Sequence, residues 1–566
     1  MEIFFKWLAA NPYTLLFFVV GGAVVLGKAT IKGYGLGMVA SAIVVGAAVA
    51  ALASTYGVKL ALDNFTKSLF YYLFMYGVGL RVGPSFINSL KGDGLKFTFL
   101  AIFCSVLGLL GAVFFTKLWD LPGGAAGGIL AGSMTMSAAI GSAEEAVRQG
   151  VFPLAEGQKL EDISGMIALS YGLTYIWGTV GIILICKYLP RWWGIDAKAA
   201  AKKYEEEFGV PNVDDAGLTG YRPLALRAYK LTNKEVAGWT VRQFLKKYPQ
   251  YKVMNVVRGK EPLGGPDDLV FQLGDVIALG GRLEEITENM GLIGPEVPHA
   301  EALNIPLDQA EILVTNKELE GKELQELRTA DFAGQLGLSR IERGGVPIPI
   351  GLKLKLQRFD VLFVTGLKGA VETLAALAGK VARPSTATDL LTLSVGMILG
   401  FLIGAISFPI AGSKVGLGNA GGLLVSGIIV ASVVSRLRFF GNTPNAARNI
   451  IEDLGLIVFI AIVGINAGAG LLSQLSGSVA LYIFIAGFIC TTIPPILVWA
   501  IGYHWMKINP AILMGGVAGA RSHSGPAREA AKEIGSSVPW IGFPVGYAVS
   551  GVLLTVFGYI AMMLSK

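Results

Sequence analysis

Two arginines and a set of hydroxyl side chains stand where an otherwise apolar chain has no structural need of them. Arg521 and His523 lie in MGGVAGARSHSGPAREA (514–530), flanked by Ser522, Ser524 and Pro526. An arginine deep in a bilayer costs roughly 2.5–3.5 kcal/mol on insertion scales, so it must face a cavity or a partner. A guanidinium can hold a carboxylate through two parallel hydrogen bonds, which lysine cannot reproduce. The alternative is an ion pair with Glu529 or Glu533. His523 can titrate or simply donate a hydrogen bond, and both roles stay open. An earlier stretch of the same kind, GGILAGSMTMSAAIGSA (127–143), supplies Ser133, Thr135 and Ser137. Their hydroxyls can ligate a solute or bond back to helix carbonyls. Arg81 sits in GVGLRVGPSF (77–86), where Gly and Pro indicate a helix end or break. Freed amides and a guanidinium there would suit a carboxylate; the alternative is an anchor snorkelling to the headgroups. Asn466, in VGINAGAG (463–470), is a polar residue out of place facing lipid. Glu144, Glu145 and Arg148 read as a solvated helix end, and His299 and His504 as surface or interfacial residues. No Ser/His/Asp set, metal-ligand spacing or phosphate loop is present, so no catalytic residue, metal site, cofactor or enzymatic activity is expected.

The elements that hold these residues are membrane helices. Hydrophobic residues make up 53% of the chain and charged residues 15%, with a mean hydropathy of +0.59. A soluble protein carries about 25% charged residues. The 75 glycines suit close helix packing and broken helices in lipid. The net charge of +7 is assigned to cytoplasmic loops rather than to nucleic-acid binding. Cys104, Cys186 and Cys490 all fall inside apolar runs and read as buried free thiols. Lys6 and the run that follows it lack a small-residue cleavage site, which predicts an uncleaved first membrane helix.

Six apolar segments, at roughly 12–31, 33–55, 66–84, 95–116, 122–146 and 164–190, precede a polar region. Six more follow, at roughly 388–410, 416–436, 453–471, 477–503, 509–527 and 538–563. The two sets share landmarks. Gly128, Ala131, Gly132 and Ser137 match Gly515, Ala518, Gly519 and Ser524, and Thr135 falls opposite Ser522. Gly79, Gly83 and Leu90 match Gly464, Gly468 and Leu475, which places Asn466 opposite Arg81; Gly35-Leu36-Gly37 matches Gly416-Leu417-Gly418. The membrane part therefore reads as a duplication. If 122–146 dips in and returns, Lys28, Lys32, Arg81, Lys91, Lys96, Arg436, Arg438, Arg448 and Lys507 share the side of the polar region; if it crosses, the first five move outside. The positive-inside rule favours the re-entrant reading. Five crossings per half would then invert one half against the other, a recurring secondary-transporter design.

The polar region also repeats. AGWTVRQF, VVRGKEPL and FQLGDVIALGG are followed by EGKELQEL, IERGGVPI and LQRFDVLFVTG, with Asp275 matching Asp360. Alternating runs such as 275–280 and 360–366 predict strands, with helices between. Without a glycine-rich turn after a strand, neither module is expected to bind a dinucleotide. The predicted organisation is a first transmembrane repeat at 1–194, α+β modules at 200–299 and 300–385, and a second repeat at 386–566.

On GVGLRVGPSF, GGILAGSMTMSAAIGSA and the paired modules, the chain resembles the aspartate:alanine exchanger family of bacterial antiporters over nearly its whole length. The modules resemble the C-terminal domains of potassium-transport regulators (TrkA-C or RCK-C type). The resemblance implies a polytopic α-helical protein of the bacterial plasma membrane, expected as a homodimer, that exchanges L-aspartate for L-alanine. A succinate-type dicarboxylate exporter is the alternative within that family. An ion channel gated by the modules is a further one, against which the chain has no TVGYG-type filter.

Overall fold

A computed structural model of the chain describes all residues except 32–33, 36, 90–93, 155–156, 209–224, 249–250, 282–285, 287–290, 305–306, 329, 331, 334–335, 344, 383–389, 411–412, 435–444 and 475–476. Lys32, Leu36, Leu90, Lys91, Arg436, Arg438 and Leu475, used above as landmarks or loop charges, lie outside the described residues. The chain forms two compact units, one of 1–201 with 386–566 and one of 202–385.

The first unit is helical. Its leading half runs α1 (Glu2–Ala10), α2 (Pro12–Lys28), α3 (Gly37–Thr55), α4 (Asn64–Ser89), α5 (Gly94–Leu118), α6 (Ala125–Ser133), α7 (Ala138–Arg148) and α8 (Leu160–Trp192). Its trailing half runs α9 (Leu390–Gly404), α10 (Gly418–Val434), α11 (Asn445–Gln474), α12 (Ser478–Ala500), α13 (Pro510–Ala520), α14 (Ser524–Ile534) and α15 (Pro539–Leu564). Small hairpins, β1–β2 (Thr30–Ile31, Tyr34–Gly35) and β12–β13 (Ser407–Ile410, Ser413–Gly416), stand before α3 and α10. Among the described residues six helices are long and apolar enough to cross a bilayer, or seven if α1 and α2, bent by 111°, form one span. The chain is a polytopic helical membrane protein. The predicted first helix lacks its short forerunner α1, because Pro12 forces a break that apolarity alone does not register.

Packing largely repeats between the halves. Most contacts between two helices recur between the helices seven labels away. Thus α4 packs on α10 and α3 on α11, α6 on α8 and α13 on α15, and α8 on α12 and α5 on α15. α4 and α11 run in opposite directions, since Leu62 meets Asn466, Tyr71 stacks near Phe459 (4.8 Å) and Arg81 reaches Glu452. α5 and α12 do likewise, with Phe99 beside Trp505 and Trp119 beside Tyr482. Small residues make these approaches possible. On α9, Thr392, Gly396, Gly400 and Gly404 form the buried stripe, and Leu391, Val395, Ile398 and Leu402 are exposed. This is the small-residue seam expected where lipid supplies no hydrophobic drive.

The second unit carries two sheets. The first has the order β3-β6-β4-β5, built from Ala225–Lys230, Val276–Gly281, Lys252–Arg258 and Glu261–Gly264. The second has the order β11-β7-β10-β8-β9, built from Gly379–Ala382, Leu307–Val314, Val361–Leu367, Leu336–Arg343 and Val346–Ile348. Among the described residues every strand pairing in these sheets is antiparallel. Each sheet holds the same charged staple. Arg258 Nε and Nη2 grip both oxygens of Asp275 (2.9 and 3.0 Å), with a bond to Val270 O. Arg343 does the same to Asp360 (2.8 and 2.7 Å), with a bond to Lys355 O. The Asp275 carboxylate raises the Arg258 pKa.

Candidate functional site

In both halves the small-residue stretch forms a helix, breaks, and continues as a second helix. The sequence dictates this: Gly-rich limbs can lie against a neighbouring backbone, and the hydroxyl residues at the break offer local hydrogen bonds in place of the helical ones. A Cβ at Gly132 would stand 3.0 Å from Tyr175 N, and one at Gly519 would stand 3.0 Å from Tyr547 N. Glycine is therefore required for α6 to touch α8 and for α13 to touch α15. At the breaks themselves, Thr135 and Ser522 both adopt left-handed backbone, at φ 54° and 53°. Such φ values are uncommon for residues with a side chain and accumulate at functional sites.

The two breaks meet. Thr135 Oγ1 donates to Met134 O (2.7 Å) and to Arg521 O (3.3 Å). Arg521 is fully buried. Its Nη1 donates to Thr491 O (2.9 Å), and its Nη2 donates to Ser133 O and, at 3.5 Å, to Gly178 O. Both main partners are carbonyls that the sequence has freed. Ser133 ends α6, and Thr491 lies four residues before Pro495, which has no N–H to give back. The arginine thus supplies the donors that the broken helices lack. The ion pair considered with Glu529 or Glu533 is not formed: Glu529 pairs with Lys532 (2.9 Å), and Glu533 with Lys187 (3.2 Å) and Arg191 (2.7 Å).

The remaining candidates divide into two groups. Thr135, Ser137, Ser522 and His523 are half-buried and Ser524 is exposed, so the breaks are not sealed within the helix packing. Ser137 Oγ lies 2.9 Å from Tyr171 Oη, and His523 Nδ1 accepts from Gly525 N at the start of α14 (2.9 Å). Ser133 is fully buried; its hydroxyl reaches back to Leu130 O (3.5 Å), the back-bonding alternative. Arg81 and Asn466 have partners outside the breaks. Arg81 pairs with Glu452 on α11 (2.9 Å) and lies over the Tyr547 ring (5.2 Å), rather than snorkelling to a headgroup. Asn466 donates to Leu62 O (2.9 Å) and accepts from Leu62 N (2.8 Å), fixing the extended chain before α4.

One expectation fails. Glu144 and Glu145 are 2% and 4% exposed, not a solvated helix end. Glu144 meets Lys67 at 3.1 Å and Arg148 at 3.5 Å, while Glu145 Oε1 accepts from Gln149 Nε2 (3.0 Å) and Asn419 N (3.4 Å). The charge is carried inward because α7 folds back against α4 and α10, and partners on those helices compensate it. Nothing local in AEEAVR signals this; Lys67, a lone cation at the start of an apolar helix, was the available hint. Cys104, Cys186 and Cys490 are free and buried, as expected.

A family of membrane permeases, described as the predicted permease membrane region Asp-Al_Ex, matches residues 14–191 and 392–563. The chain belongs to the aspartate:alanine exchanger family. The matched segments hold both breaks, Arg81 and Asn466. A Bordetella parapertussis protein is 67% identical over the whole of both chains. One from Desulfotalea psychrophila is 30% identical over 99% of this chain and 85% of its own. One from Bradyrhizobium diazoefficiens is 32% identical over 91% and 99%. All three are named uncharacterized transporters. No solved structure matches. This member of the exchanger family is therefore a transporter.

Proposed function

We propose that this transporter is a secondary antiporter for small carboxylates in the bacterial plasma membrane, exchanging L-aspartate for L-alanine. The observation that carries the reading is the apposition of two helix breaks, with Thr135 bonded to the backbone of Arg521. α7 and α14, each eleven residues, begin at these breaks. Their amino ends offer free N–H groups and positive dipole to an anion, and broken helices meeting at mid-membrane are a recurrent substrate site. Thr135, Ser137, Ser522, His523 and Ser524 are the proposed contacts. Arg521 holds the breaks in place and lends them its charge, and Ser133, Asn466 and Arg81 support the surrounding helices.

The two membrane halves, 1–194 and 386–566, act in this reading as inverted repeats. Support comes from the antiparallel course of the matched helices α4 and α11, and of α5 and α12. The two staples, Arg258–Asp275 and Arg343–Asp360, support a pair of related regulatory modules of RCK-C type at 200–299 and 300–385. A homodimer is proposed by resemblance to the family. The test is counterflow with the purified protein in liposomes. Labelled aspartate should accumulate only when the lumen holds alanine or aspartate, and leave only when one of them is supplied outside. Uptake into empty liposomes would indicate a channel. Exchange of succinate without aspartate would indicate the dicarboxylate exporter.

A further inference from the structure

The helices of the membrane unit fall into two groups. α2, α3 and α4 pack with α9, α10 and α11, and α5–α8 pack with α12–α15. The second group contains both broken hairpins. The seam between the groups is where α4 meets α15, α8 meets α11, and α7 meets α4 and α10.

The seam is not uniform. Part of it is lined by small apolar residues: a Cβ on Gly165 of α8 would lie 3.4 Å from Ala467 of α11. At one end Arg81, paired within its own group with Glu452, meets a neutral phenol across the seam, lying over the Tyr547 ring and hydrogen-bonding its hydroxyl. At the other end, charges pair directly across it. Lys67 of α4 meets Glu144 of α7 at 3.1 Å, with side chains 4% and 2% exposed. Arg148 of α7 donates to Ser68 of α4 at 2.8 Å, and Asn419 of α10 donates its backbone N–H to Glu145. The two ends stand 14 residues apart on α4, about 21 Å along the helix axis.

We propose that this unit works as two bodies, and that Lys67, Glu144 and Arg148 form the latch that holds the hairpin body against the six-helix body in the conformation seen. The physical ground is the contrast along the seam. Apolar small-residue surfaces slide without leaving any group unsatisfied. A buried ion pair, by contrast, has two discrete arrangements, made in the low-dielectric seam or separately hydrated once it opens. The net charge of Lys67, Arg148, Glu144 and Glu145 together is zero, so closing the latch buries no unbalanced charge. Tyr71, buried beside it on α4, leaves its hydroxyl without a hydrogen-bond partner, so the cluster is not fully satisfied in this arrangement. The inference rests on the chain being a transporter and not on which solute it carries.

The test reads access to the break, not transport. In a chain whose three buried cysteines are replaced, Ser137→Cys is labelled with a membrane-impermeant maleimide in vesicles of both orientations. Glu144→Gln, which strands Lys67, should raise the labelling rate at least tenfold from the side on which Lys67 lies, with no rise from the other side. Lys67→Met with Glu144→Gln removes the pair without stranding either partner and should do the same. A parent-like rate in either folded variant overturns the latch. So does failure of the double variant to reach the membrane, because the cluster would then serve folding alone. Equal increases from both sides would mean general loosening and overturn it as well.

Discussion

Replacing Arg521 separates a residue that holds backbone from one that binds substrate. In the structure its η nitrogens serve Thr491 O and Ser133 O, carbonyls freed by Pro495 and by the end of α6. Ser133 O also receives the Thr491 hydroxyl (3.2 Å), so the group at risk is Thr491 O. Arg521→Lys keeps the buried charge, but its single nitrogen on a shorter side chain cannot stand in for both η nitrogens, which leaves Thr491 O without its donor. A stranded buried acceptor costs about 1–3 kcal/mol. The ammonium is also more strongly hydrated than a guanidinium, which raises the burial cost. Arg521→Met strands the same carbonyl but recovers the several kcal/mol spent on burying a charge. Lysine should therefore be the worse replacement, lowering the folded-to-unfolded ratio about 5- to 150-fold, since each 1.4 kcal/mol is a factor of ten. Equilibrium unfolding in mixed micelles measures the order. Aspartate and alanine affinities of the lysine variant should fall together, within threefold of each other. Stability of Arg521→Lys above that of Arg521→Met, together with selective loss of aspartate, would refute the reasoning and make the guanidinium a substrate ligand.

Three further outcomes are expected. Gly519→Ala drives a Cβ into the Phe543 carbonyl and should cost about 1–3 kcal/mol or more, read as lost folded yield, whereas Gly172→Ala meets nothing within 4 Å and should be silent. Asp360→Asn strands an Arg343 that is 12% exposed and should cost roughly 3–5 kcal/mol; Asp275→Asn should cost less because Arg258 is 34% exposed. Hydrogen exchange of the two sheets in the whole protein checks that order. A cysteine at Tyr56 should label from one side of the membrane only and one at Trp505 from the other, both positions being exposed; labelling of both from one side would remove the proposed topology.

Much of the scaffold was legible because it follows from the chain's own periodicities. The apolar runs marked α2–α5, α8 and α9–α12, and glycines spaced by four marked the faces that pack. The broken hairpins announced themselves through hydroxyls that lipid-facing helices do not need. Partners were not legible. That Arg521 would meet Thr491 depends on α12 crossing the second break, a consequence of tertiary folding, although the Pro494-Pro495 pair advertises carbonyls in want of a donor. Glu144 and Glu145 were misread for the same reason. Two carboxylates ending a short helix look solvated until another helix brings Lys67 and the α10 amino end to them. Asn466 was recognised as out of place, but its partner, the Leu62 backbone, carries no side-chain signal at all.

The ties between α7 and α15 and between α8 and α14 respond differently to electrolyte. α7 is joined to α15 by a neutral bond, Tyr559 Oη with Gln149 Oε1 at 3.0 Å. α8 is joined to α14 by Lys187 and Arg191 on Glu533, with Arg191 70% exposed. The Debye length falls from about 10 Å at 0.1 M salt to 3 Å at 1 M, and exposed pairs are screened while neutral and deeply buried ones are not. Salt therefore weakens the α8–α14 tie and leaves the α7–α15 tie unchanged. A transporter built this way has a mechanical asymmetry that the ionic strength of a single compartment can tune.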